Sequence, residues 1–216
     1  MSGAPSERPN IVSRLDCGDI FRIVRDIFVD ELGRSRGAAF DSLATTSWTM
    51  ETPVRSGGAD LDSLERFTLA SRLNETFSLH ESGVEDNLLR AHTLGDTVEV
   101  ILAGLSHYAG SVTFFSGGTT GTPRPQRHRT EHLAQEIRFL ATLFRDRRRV
   151  LVTVPVHHIY GFLFGVLLPR ELDLPVVEAR GSFLSGPRAP EPGDLVISVP
   201  FLWERFVPAV PGWGRD

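Results

Sequence analysis

The 216 residues carry a net charge of −4 and are 41% hydrophobic, which fits one ordinary globular domain or two small ones and argues against a nucleic-acid binder. The longest apolar run, near residues 160–169, is far too short for a membrane span, and the polar, proline-containing stretch 1–10 lacks the apolar core of a signal peptide. A single cysteine, Cys17, rules out an internal disulfide; it points to a reducing, cytoplasmic setting and reads as an inert, partly buried thiol.

Residues 1–14 are expected to be disordered. From Asp19, as N-cap, a helix is signalled by Ile20, Ile23, Val24, Ile27 and Phe28 on one face, with Gly33 to close it. Residues 34–61 read as a long Gly/Ser/Thr-rich loop. A second helix begins at Ser63 and places Leu64, Phe67, Ala70, Leu73 and Phe77 on one side. A short helix is expected over residues 84–90. A fourth starts at Thr93, where Thr93-Leu94-Gly95-Asp96 has capping-box form.

The pattern changes near residues 107–110. Residues 112–115 read as a strand, and a helix follows from Thr130 with Leu133, Ile137, Leu140 and Phe144 at helical spacing. Arg127, His128, Arg129 and the run Arg145–Arg149 read as solvated helix ends. Strands are expected at 149–154, 176–178 and 195–199, a short apolar helix at 161–168, and a helix opened by Pro200. Alternating strands and helices imply a largely parallel α/β layer. The fold class is therefore mixed: residues 15–106 helical, residues 110–216 α/β.

Two constellations carry chemistry. The first is Ser116-Gly117-Gly118-Thr119-Thr120-Gly121-Thr122-Pro123-Arg124, where small residues, hydroxyls and free backbone N–H groups gather as they do around phosphate oxygens. It is no Walker loop, because the chain contains no lysine. It resembles the Thr-Ser-Gly-Thr-Thr-Gly-x-Pro-Lys loop of the acyl-adenylate-forming (AMP-binding) ligases. Gly118, Thr119, Thr120, Gly121 and Pro123 match; Ser116 and Arg124 are close replacements; Gly117 stands where the family has serine. Pro155-Val156-His157-His158-Ile159-Tyr160-Gly161 is similar to the family's Pro-x-x-His-x-x-Gly segment, with His158 at the matching position. Ser198-Val199-Pro200-Phe201-Leu202-Trp203-Glu204-Arg205 resembles a later strand-to-helix segment.

The resemblance implies that ATP and Mg²⁺ serve as cofactors and that Ser116, Gly117, Gly118, Thr119, Thr120, Gly121 and Arg124 hold the ATP phosphates. His158, Tyr160 and Gly161 then border the acyl pocket for a fatty or aromatic carboxylic acid. The Tyr-Gly-x-Thr-Glu and Thr-Gly-Asp motifs and the adenylation lysine of the family are absent. The adenylation part is therefore expected to be incomplete as it stands: truncated, disrupted, or split so that a second chain carries the rest. His128 and His132 are four apart, but no cluster completes a metal site.

The second constellation is Asp62-Ser63-Leu64-Glu65. It resembles the attachment site of acyl carrier proteins, and the likeness extends over residues 15–106. It implies that Ser63 receives phosphopantetheine from a phosphopantetheinyl transferase. The alternative is a plain helix N-cap. Asp41-Ser42-Leu43 repeats the triplet without a helix after it, and Asp60 stands where carriers often have glycine. Two functions follow. One is an ATP-dependent acyl-activating ligase that forms an acyl-adenylate and then a thioester. The other is a non-catalytic carrier or interaction protein with a docking α/β fragment.

Overall fold

A computed structural model describes residues 10–37, 40, 44–116, 123–179 and 190–206. The chain divides into two compact units, residues 1–134 and 135–216. Residues 110–134, which sequence grouped with the α/β part, thus belong to the first.

The first unit opens with a 3₁₀ turn, Val12–Arg14. Ile11, Val12 and Leu15 are buried, so the described part of the expected disordered N-terminus is ordered by apolar anchoring. Helix α1 runs Cys17–Arg36. Its N-cap is Asp16, not Asp19: Asp16 accepts from the Asp19 amide, and Asp19 reaches back as the acidic partner of a capping box. Cys17 at the first helical position is consequently exposed rather than partly buried. The helix passes through Gly33 and ends at Gly37, whose φ of 56° lies in the left-handed region.

Helix α2 runs Ser63–Phe77 and α3 Leu94–His107; a six-residue 3₁₀ stretch, Glu85–Arg90, lies between them. The capping box of α3, Thr93 with Asp96, is present as expected. On α2 the core face is Leu69, Arg72, Leu73, Thr76 and Phe77, whereas Leu64 and Phe67 face solvent. The buried set keeps strict i, i+3, i+4, i+7, i+8 spacing, and Leu64 and Phe67 fall off it. The loop before α2 is tied to the start of α3 by Val54 N–H to His92 O, Leu94 N–H to Thr52 O and Gly95 N–H to Met50 O.

Strands β1 (Ser111–Ser116) and β2 (Arg124–Arg129) form an antiparallel hairpin packed on α2. β2 corrects the expectation that a helix end carries Arg127, His128 and Arg129. Its exposed, polar residues show no apolar alternation, but the buried Val112, Phe114 and Phe115 of β1 hold the pairing. Helix α4, Thr130–Phe144, follows.

In the second unit β3 (Arg149–Val152) is the centre of a three-stranded parallel sheet, with β4 (Val176–Glu178) on one side and β5 (Asp194–Ile197) on the other. Arg149 is no solvated helix end: it opens β3 and clamps Asp194 of β5 with bonds of 2.9 and 2.6 Å. Between β3 and β4 run α5 (Ile159–Phe162), a π-helical turn (Leu163–Leu167) and α6 (Leu168–Leu172). Helix α7, Pro200–Phe206, starts on its proline.

Candidate functional site

The hairpin register places Ser116 directly opposite Arg124. Gly117, Gly118, Thr119, Thr120, Gly121 and Thr122 lie outside the described residues. What the structure describes is how firmly the two strands of the hairpin are held. Arg127 Nε donates to Ser111 Oγ at 2.8 Å, and its Nη2 donates to Tyr108 Oη at 3.1 Å and approaches Glu81 Oε1 at 3.5 Å. Ser111 Oγ also lies 3.2 Å from Ser78 Oγ. The ring of His128 meets Phe114 edge-on, with centroids 5.5 Å apart. At the hairpin's foot Thr130 N–H donates to Gly110 O, and Asn10 Nδ2 donates to Ala109 O and Thr130 Oγ1, both at 2.7 Å.

Sequence reasoning missed these anchors and a further one on α2. Arg72 of α2 is buried, and its guanidinium carbon lies over the ring of Phe115, one residue before Ser116. Glu31 Oε1 stands 3.4 Å from its Nε. Burial pulls the Arg72 pKa down to about 10, against the opposing pull of Glu31. A lone arginine on the apolar face of α2 was the available signal.

Ser63 is the first residue of α2 and is exposed. Asp62 Oδ1 accepts from the Glu65 amide at 2.8 Å, and Glu65 Oε2 accepts from the Asp62 amide at 3.1 Å. Arg36 binds both oxygens of Glu65 at 2.6 Å and lowers its pKa; the same fork donates to Asp60 O at 2.9 Å. Asp60 adopts φ 51°, the left-handed conformation that glycine takes without strain. The aspartate at this position therefore keeps a glycine's backbone, helped by its own Oδ1 accepting from the Gly57 amide at 2.8 Å. Beside Ser63 a groove of about 420 Å³ is lined by Leu32, Leu64, Thr68 and Leu69 among others. Ser42, the second triplet's serine, lies outside the described residues.

In the second unit His157, His158, Tyr160 and Gly161 lie just past the carboxyl end of β3. This is the end at which parallel α/β sheets carry their ligands. His157 is buried and His158 half-buried, their rings 4.0 Å apart. Tyr160 Oη donates to Ser198 O at 3.2 Å, joining this segment to the end of β5, and burial raises the Tyr160 pKa. Thr153 Oγ1 makes a second link, to Ile197 O at 2.9 Å. Tyr160 stacks near Phe164, and Phe164 near Phe144, at 5.2 and 6.2 Å between centroids. Ser198 Oγ is buried with no hydrogen-bond partner among the described residues. A Cβ at Gly161 would collide with the Pro155 carbonyl, so glycine lets α5 turn back closely against the preceding loop.

Ser116 and Arg124 thus stand in the first unit, and His158, Tyr160 and Gly161 in the second. Among the described residues no helix is long and apolar enough to cross a membrane, and no group of His, Cys, Asp and Glu could hold a metal ion.

No protein-family model matches the chain, and no solved structure matches it significantly. Curated relatives do. A 4-coumarate–CoA ligase of Halorhodospira halophila is 39% identical over 189 residues, covering 88% of this chain and 48% of that protein. Ligases of the same name from Cereibacter sphaeroides and Rhodobacter capsulatus are 36% and 32% identical over 157 and 178 residues, covering 37% and 45% of those proteins. The match to the Halorhodospira protein is too long to avoid the helical region 15–106, so that ligase contains a counterpart of much of it. The chain spans about half the length of the curated relatives it matches, and over that half it is similar to 4-coumarate–CoA ligases.

Proposed function

We propose that this chain supplies one half of an AMP-forming ligase that activates an aromatic carboxylic acid of the 4-coumarate class. The observation that carries the reading is the hairpin register that sets Ser116, at one end of the Gly/Thr-rich stretch, directly across from Arg124 at the other, on anchored strands. Hydroxyls, small residues and one cation suit a polyphosphate. Mg²⁺, when bound, would offset part of the polyphosphate's charge. In the reaction a carboxylate oxygen attacks the α-phosphorus of ATP, the bond to pyrophosphate breaks, and an acyl-adenylate forms. A thiol then attacks the acyl carbon and expels AMP. On this reading Ser116, Thr119, Thr120 and Arg124 hold the leaving pyrophosphate, and His158 and Tyr160 border the acid, with Phe164 as an aromatic wall.

The test combines this chain with the unmatched half of the Halorhodospira ligase and measures 4-coumarate-dependent ATP–pyrophosphate exchange. Exchange is expected from the mixture and from neither half alone, and a Thr119→Ala/Thr120→Ala pair is expected to lower it at least tenfold. Exchange that ignores the pair overturns the loop assignment.

A second reading concerns residues 15–106, whose helical order supports a carrier-like bundle with phosphopantetheine on Ser63. The exposed serine at the start of α2, with Leu64 and Phe67 exposed beside it, favours a surface that an enzyme could grip. Incubation with a phosphopantetheinyl transferase and coenzyme A is expected to add one phosphopantetheine mass, absent in Ser63→Ala. An unmodified folded chain leaves Ser63 as a helix-start residue only.

A further inference from the structure

Sheet β4-β3-β5 has two outer strands, and their outer edges differ. The hydrogen bonds show which backbone groups point outward. Val150 N–H donates to Pro175 O and Ala179 N–H donates to Val152 O, so residues 150 and 152 of β3 face β4. Thr153 N–H donates to Ile197 O, so Leu151 and Thr153 face β5. Successive residues alternate; Leu195 and Ile197 therefore point inward, and the N–H and C=O of Val196 point away from the sheet. No strand among the described residues pairs with that edge.

The β4 edge is blunted: the strand has three residues and is entered through Pro175. The β5 edge is not. All four of its residues pair with β3 on the inner side, and past its end Val199 and Phe201 are exposed, Phe201 at 73%. An exposed strand edge beside large exposed apolar side chains marks an interface.

The strand order says what belongs there. In order of appearance the three strands lie 2-1-3, and doubly wound sheets that begin this way add their next parallel strand outside the third, after a helix. Helix α7 is that helix, and the curated ligases hold about as much sequence again as this chain matches. We infer that the outer edge of β5 receives a parallel strand from the half of the ligase that this chain does not match, with Val199 and Phe201 covered by the same segment. The inference rests on the ligase reading above and adds the surface through which the two halves join.

Hydrogen exchange of the chain, alone and with the unmatched half of the Halorhodospira ligase, tests it. The peptide holding Val196 is expected to exchange rapidly in the chain alone and at least tenfold more slowly in the mixture. Phe201→Glu is expected to weaken association at least tenfold, while Phe139→Glu, at an exposed position on α4, leaves it within twofold. Circular dichroism of both variants checks that they fold. Val196 already protected in the chain alone, or unprotected in a formed complex, overturns the inference. If the mixture still catalyses exchange while β5 is unchanged, the ligase reading stands and the docking surface falls. If neither complex nor exchange forms, both fall.

Discussion

The guanidinium carbon of Arg72 lies 3.0 Å from the centre of the Phe115 ring, so a buried charge of α2 is seated on the aromatic side chain one residue before Ser116. A desolvated cation over an aromatic face contributes about 2 kcal/mol, and the planar guanidinium stacks where an ammonium does not. Arg72→Ala is expected to destabilise the first unit by about 2–3 kcal/mol in urea unfolding, with Arg72→Lys recovering less than half. A lysine variant as stable as the parent would show that the charge alone matters and the stack does not.

The Arg36–Glu65 fork gives the first unit a sensitivity to acid. The hydrogen bonds from Arg36 are the main reason that the Glu65 pKa is lowered from its ordinary 4.5. A depressed carboxylate stabilises the fold above its unfolded pKa, and that contribution disappears as pH falls through the lower folded value. The urea midpoint should therefore drop as pH is taken below about 4.5. In Arg36→Met the drop attributable to Glu65 should vanish. Parallel curves for parent and variant below that pH would remove Glu65 from the explanation.

Two glycines should respond differently to alanine. At Gly161 a methyl group meets the carbonyl of Pro155, backbone against backbone, and α5 must move. The expected cost is about 3 kcal/mol or more. At Gly37 nothing lies within 4 Å of the added carbon, and the penalty is only that of φ 56°, about 1–2 kcal/mol. Thermal unfolding that ranks Gly37→Ala as the worse variant would contradict this geometry.

Arg124 faces Ser116 across the mouth of the bend. In the reconstituted ligase, Arg124→Ala is expected to reduce ATP–pyrophosphate exchange about 100-fold, the scale for losing one positioned charge-stabilising donor. Arg124→Lys should retain activity within about tenfold, because lysine keeps the charge while changing its donor geometry. Steady-state exchange rates at saturating ATP separate the two. Equal loss in both variants would make the fork itself indispensable.

Much of this architecture was legible because local chemistry announces itself. Thr93 and Asp96 cap α3, Pro200 starts α7, and the apolar spacing of α4 follows its helix. What stayed hidden depends on distant partners. β2 is five polar residues and a proline that become a strand only because β1 offers a buried ladder. Asp19 reads as the cap from sequence, but the cap is Asp16, because Asp19 three residues on can reach back to it. Leu64 and Phe67 look like core by spacing, but the narrower face through Arg72 wins, since Phe115 and Glu31 satisfy that arginine. For the candidate site, the bend and the histidine segment were readable as strings, whereas the anchors Arg72, Arg127 and Asn10 were not.

The packing of the hairpin onto α2 sets where the helical region can be cut. Excised as residues 15–106, it would shed Val112, Phe114 and Phe115, leave Arg72 without its aromatic seat, and strip Ser78 and Glu81 of their contacts. A portable helical cassette would therefore have to run at least through β2. Any transplant of the helices brings the hairpin with it.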